Sequence, residues 1–163
     1  MGKKDDKTNV MRILDQKKVD YTYKALDVDF TNLEDVAEAA GEDPTHVFKT
    51  LVTVGKSREH YVFMVPGTYD LDLKKAAKAA GEKKVEMIHL KELLPLTGYV
   101  HGGCSPIGMK KPFKTFIHET CLDFDQICFS AGKIGHQVKM KFSDLQKVIQ
   151  VKPADIAKPA DQG

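Results

Sequence analysis

LVTVGKSREHYVFMV, Leu51–Val65, holds two runs rich in β-branched and aromatic residues, LVTVG and YVFMV, on either side of a polar connection. Such runs joined by a short segment containing Gly predict a β-hairpin rather than the strand, helix, strand unit of a parallel sheet. Upstream, Asp43-Pro44 reads as an N-cap followed by proline in the first turn, so a short helix is expected from Pro44 towards Lys49. Before it, Leu33–Ala40 is helical in pattern and stops at Gly41, and Val19–Leu26 alternates as a strand. A first helix is expected from Thr8 or Asn9 to Lys17, with Val10, Ile13 and Leu14 on one face.

Downstream of the hairpin, Leu71–Gly81 forms an amphipathic helix with Asp72 near its positive end. VEMI follows as a strand, and HLKELLPL as a short helix broken by Pro95. Thr97–Phe113 is largely loop, FKTFIH, QICFS and HQVKMKF are strands, and SDLQKVI is a helix capped by Ser143. The tail, residues 153–163, is expected to fray. Hairpins interleaved irregularly with helices give an α+β class: a mixed, mostly antiparallel sheet or partial barrel with flanking helices, not a doubly wound parallel sheet.

At 163 residues the chain fits one domain, residues 1–163, and no apolar run approaches the roughly 20 residues that span a bilayer. A soluble, cytoplasmic protein is expected. Three cysteines without a C-x-x-C pair suggest free thiols, and six scattered histidines lack the i, i+4 spacing of a helical metal site. No metal or cofactor is expected. The net charge of +2 is unevenly spread: residues 1–73 carry 10 basic and 14 acidic residues, residues 74–141 carry 12 and 6. The middle of the chain can therefore present a basic face to a polyanion, or simply a solvated lysine surface.

Three segments carry candidate chemistry. In HVFKTLVTV, Lys49 sits among apolar neighbours, where it either holds a fixed positive charge beside an ester or phosphate or snorkels to water. In TGYVHGGCSPIGMKKPF, Gly102 and Gly103 can bring main-chain N–H groups to a carbonyl oxygen, as an oxyanion site requires, or make a tight turn. Cys104 with His101 offers a thiol nucleophile, but no third group orients the pair. Ser105 precedes proline and suits a turn or a hydroxyl hydrogen bond. SAGKIG brings Ser130, Gly132 and Lys133 to a second glycine-rich junction, either in the same cleft or at a hairpin tip.

Taken together, VFKTLV (Val47–Val52), LDLKKAAKAAGEKKVEM (Leu71–Met87), TGYVHGGCSPIGMKK (Thr97–Lys111) and SAGKIG (Ser130–Gly135) resemble the YbaK/EbsC family of aminoacyl-tRNA deacylases, free-standing relatives of the editing domain of bacterial prolyl-tRNA synthetases. The resemblance covers nearly the whole chain. It implies a six- or seven-stranded mixed barrel and deacylation of Cys-tRNA(Pro), with Cys-tRNA(Cys) as a further substrate. The implied route is attack of the substrate's own thiolate on its ester, releasing a cyclic thiolactone. It also implies prolyl-tRNA synthetase as a transient partner, with no membrane or DNA. On that basis Lys49, Gly102 and Gly103 are assigned to catalysis, Thr50, Ser105, Ser130 and Gly132 to substrate binding, and Lys110, Lys111 and Lys133 to the tRNA. Two positions depart from the family pattern: Gln137 stands where relatives carry an acid, and Leu26 where they carry tyrosine. The competing expectation is a non-catalytic relative that binds tRNA or a synthetase.

Overall fold

The computed structural model describes residues 7–26, 37 and 41–160. Along the chain run α1 (Asn9–Lys17), β1 (Thr22–Ala25), β2 (Phe48–Gly55), β3 (His60–Pro66), β4 (Tyr69–Leu71), α2 (Leu73–Ala80), β5 (Val85–Met87) and α3 (Leu90–Thr97). There follow β6 (Lys114–His118), β7 (Ile127–Ser130), β8 (His136–Met140), α4 (Phe142–Val148), β9 (Val151–Ala154) and β10 (Ala157–Pro159).

The quoted stretch folds as the β2–β3 hairpin, antiparallel from Phe48–Pro66 to Val54–His60. It is the centre of a five-stranded sheet ordered β5-β2-β3-β6-β9, whose β3–β6 and β6–β9 pairs are parallel. A second sheet, β1-β8-β7, is antiparallel throughout, and β4 pairs with β10. A parallel bridge from Val47 to Cys128 joins the two larger sheets. The result is the expected mixed, mostly antiparallel architecture, with short strands added at its margins.

Both faces of β3 are buried, which is why its sequence is a continuous apolar run instead of an alternating one. Val62 and Met64 pack with Phe48, Val52, Phe129, Val138 and α1 residues Val10 and Leu14; Phe63 and Val65 pack with Ala76, Ala77 and Ile156. Capping starts α1 and α2 as their sequences predict. Thr8 Oγ1 accepts from Met11 N–H at 3.2 Å to start α1, and Asp72 accepts from Lys74 and Lys75 N–H to start α2.

Several boundaries differ from the sequence expectation. The turn begun by Pro44 is a 3-10 helix ending at His46, because Val47 is already extended and bridged to Cys128. Lys49 therefore lies within β2, not at a helix end. Pro95, the sixth of the eight residues of α3, stands inside it without breaking it: its missing N–H removes one bond, that to the Lys91 carbonyl, and Thr97 Oγ1, Gly98 N–H and Lys110 Nζ engage the carbonyls of Leu93, Leu94 and Pro95. Lys141, extended directly after β8, is the N-cap of α4, so Ser143 lies inside that helix. The tail does not fray through Ala160. It supplies β9 and β10, and Ile156 is fully buried, its N–H donating to His118 Nδ1 at 3.3 Å. The helix expected at Leu33–Ala40 lies outside the described residues except for Ala37, which is helical.

Candidate active site

Register decides which of the predicted residues share a face. The Val47–Cys128 bridge is parallel, so two residues further along each strand Lys49 and Ser130 leave on the same side as Val47 and Cys128. In the β7–β8 ladder Ser130 faces Gln137, and in the β1–β8 ladder Gln137 faces Lys24. One side of the joined sheets thus carries Lys49, Ser130, Gln137 and Lys24. The other side carries Phe48, Phe129 and Val138 into the core.

The Lys49 side chain is 31% exposed, and its ammonium stands 3.8 Å from the Asp70 carboxylate on β4. That separation is long for an ion pair, so the charge is oriented but not consumed. Thr50, by alternation, points to the opposite side from Lys49, between core residues Phe48 and Val52; its Oγ1 is buried and unpaired among the described residues. It cannot line the Lys49 face, which corrects its expected place beside the substrate.

The two glycine-rich junctions meet. A Cβ on Gly103 would lie 3.0 Å from Ile134 N and 3.2 Å from Lys133 C, so the loops approach as closely as only glycine permits. Gly102 has φ +86°, a left-handed turn conformation. Gly103 N–H donates to Val100 O at 3.0 Å, which corrects the expectation that both glycines offer free N–H groups. The Gly102 N–H keeps no partner among the described residues. Ser105 is fully buried and its Oγ accepts from Ile107 N–H at 3.3 Å, so it braces the turn and is closed to a substrate. Ser130 Oγ accepts from Gly132 N–H at 3.1 Å, holding the second junction while its own proton remains available.

The charged residues separate. Lys133 flanks a cleft with Arg12, whereas Lys111 lies on a different depression, and Lys110 is committed to the end of α3 through Pro95 O at 3.3 Å. Cys104 is 7% exposed, and burial pushes its thiol up to about 12; burial does the same to Cys121 and Cys128. None of the three forms an effective thiolate near neutral pH. No group of three or more metal-binding side chains occurs among the described residues.

Sequence reading missed three neighbours. Asp70 was invisible because β4 reaches Lys49 only through the β3 turn. Glu42, whose side chain is 11% exposed, is held by Lys139 at 3.2 Å and Lys24 at 3.8 Å, beside Cys128 and Gln137. Tyr23 Oη and His136 Nδ1 share a hydrogen bond at 2.5 Å, and burial, then Lys133, lowers that imidazole's affinity for a proton. The period-two alternation of HQVKM was the one signal that Gln137 and Lys139 share a face.

The family model for the aminoacyl-tRNA editing domain matches residues 28–148. A protein of Enterococcus faecalis (strain ATCC 700802 / V583), EbsC, whose name proposes Cys-tRNA(Pro)/Cys-tRNA(Cys) deacylase activity, is 50% identical over 140 residues, 85% of each chain. A crystal structure of a proposed trans-editing enzyme for prolyl tRNA synthetase superposes with a TM-score of 0.82 at 24% identity, covering 91% of this chain and 94% of that one. A scaffold used for grafting linear epitopes gives a TM-score of 0.82 at 22% identity, covering 93% and 96%.

Proposed function

The chain belongs to the aminoacyl-tRNA editing domain family, and on that premise we propose that it deacylates mischarged Cys-tRNA(Pro), and Cys-tRNA(Cys) by the same chemistry. The observation that carries this is the absence, among the described residues on the Lys49 face, of a protein nucleophile paired with a base, while all three protein thiols are buried and held protonated. A cysteinyl ester brings its own nucleophile.

The substrate thiol loses its proton to solvent, and its sulfur attacks the ester carbonyl carbon. The carbonyl electron pair moves to oxygen, where the Gly102 N–H and the Lys49 ammonium stabilise the charge. Collapse breaks the bond to the ribose oxygen, which takes a proton from water as the tRNA leaves, and the cysteine departs as a thiolactone. Ser130 hydrogen-bonds the substrate amine or the terminal adenosine. Holding sulfur and carbonyl in a near-attack geometry supplies most of the acceleration, since the ester is already reactive. The whole chain acts as one editing domain in the cytoplasm, with prolyl-tRNA synthetase as a transient partner.

Gln137 favours a second reading. A buried amide opposite Ser130 lacks the negative charge of the acid expected there, which suits a relative that holds charged tRNA without cleaving it. A time course of Cys-tRNA(Pro) ester loss separates the two: an editor shortens the half-life, whereas a binder lengthens it.

A further inference from the structure

Three depressions follow one another from the edge of the candidate site. The first, about 340 Å³, lies between the start of α1 and the Gly132–Lys133 turn, with Arg12 and Lys133 on its walls. Its members Asn9 and Tyr99 abut Gly108, where an added Cβ would lie 2.9 Å and 2.8 Å from their side-chain polar atoms. Gly108 borders the second, about 630 Å³, which holds Lys111 and Lys114. Lys114 and Gln150 line the third as well, about 560 Å³, which adds Lys152 and Gln146.

No residue lining any of the three carries a carboxylate, although the chain as a whole has 25 Lys+Arg against 23 Asp+Glu. Among the described residues Arg12, Lys111, Lys114, Lys133 and Lys152 are all without an ion-pair partner, whereas Lys7, also in the first depression, is neutralised by Asp15. A row of unneutralised cations in open grooves attracts a polyanion, and lysine suits phosphate attraction without base readout. The row begins at Gly132, whose N–H is bound to Ser130 Oγ. The row therefore starts at a residue hydrogen-bonded to a candidate substrate-binding serine.

We propose that this carboxylate-free track is the docking surface of the tRNA acceptor arm, with its cations on phosphates and Gln146 and Gln150 donating to ribose or phosphate oxygens. The proposal rests on the deacylase reading for its choice of RNA, but its test does not need turnover. Uncharged tRNA(Pro) is titrated by fluorescence anisotropy against wild type, Lys114→Glu/Lys152→Glu and the milder Lys114→Ala/Lys152→Ala, over a range of salt. A Lys83→Glu/Lys91→Glu control, at two exposed lysines that line none of the three depressions, makes the same charge change off the track. The track variants are expected to weaken binding by about tenfold or more at low salt and to flatten the log–log salt dependence by roughly 1 to 2. The control is expected to bind within about twofold of wild type. In the deacylation assay the alanine variant raises KM for Cys-tRNA(Pro) with kcat held. Unchanged affinity and slope in the track variants overturn the proposal, as does an equal loss in the control. So does unchanged tRNA binding accompanied by loss of association with prolyl-tRNA synthetase, which would assign the track to a protein. Wild type that binds tRNA(Pro) through the track but leaves the Cys-tRNA(Pro) ester intact would instead count against the deacylase reading.

Discussion

Lys49 and Cys104 are both singled out by the motifs, yet their environments assign them opposite chemistry. The Lys49 side chain is about one-third exposed with one distant carboxylate, so its field is available to a developing anion. The Cys104 thiol is enclosed, and burial keeps its proton on. Lys49→Ala is expected to lower kcat/KM for Cys-tRNA(Pro) by about 10²-fold, the usual loss for one oxyanion-stabilising group. Cys104→Ala is expected to keep turnover within about twofold, and iodoacetamide at pH 8 should spare the folded chain while labelling it in urea. Retained activity in Lys49→Ala, or inactivation by the reagent without unfolding, contradicts these roles. Sequence could not separate the two residues, because the motif places both beside glycine or apolar neighbours and says nothing of enclosure.

At the level of loops and strands, the site depends on two turns closing on each other. Gly103 meets the Lys133–Ile134 backbone, which cannot rotate away as a side-chain tip can. Gly103→Ala is therefore expected to push the loops apart, costing roughly 1–3 kcal/mol in urea unfolding and reducing turnover beyond the stability loss. Gly102→Ala meets a different penalty, strain at φ +86°, of about 1 kcal/mol. Equal activity of Gly103→Ala and wild type would show that the loop contact does not position the site. Motif spacing announced both glycine junctions but not their contact, which arises between loops about thirty residues apart. The hairpin, α1 and α2 were readable because caps and periodicity are local. Pro95 and Ser143 misled for the same reason: each looks like a boundary locally, and distant partners decide otherwise. Thr50 and Ser105 were drawn into the site by adjacency to Lys49 and Gly103, while alternation and burial turn them away.

Across the whole molecule, the C-terminal segment ties the second core to α2 and β4. Its anchor is His118, which is 5% exposed and accepts the Ile156 N–H through Nδ1, a role open only to neutral imidazole. Burial, the largest cause, lowers its proton affinity below the ordinary 6.5. Between the folded value and 6.5 the unfolded chain binds the extra proton, so stability falls as pH drops through this window. Above 6.5 both states are neutral and the group contributes no pH dependence. Urea unfolding between pH 7.5 and 5.5 should therefore show a smaller loss in His118→Asn, whose side-chain oxygen can still accept, than in wild type. Identical losses would place the sensitivity elsewhere. The tail's ordering was hidden in the sequence because three- and four-residue strands gain their meaning only from the strands they meet. The decisive measurement for the site as a whole compares loss of the aminoacyl ester from Cys-tRNA(Pro) and Ser-tRNA(Pro) under single turnover, with the released amino acid identified. Substrate-thiol attack predicts rapid loss of the cysteinyl ester as thiolactone and near-background loss of the seryl ester; equal rates, or free cysteine formed without thiolactone, would contradict it.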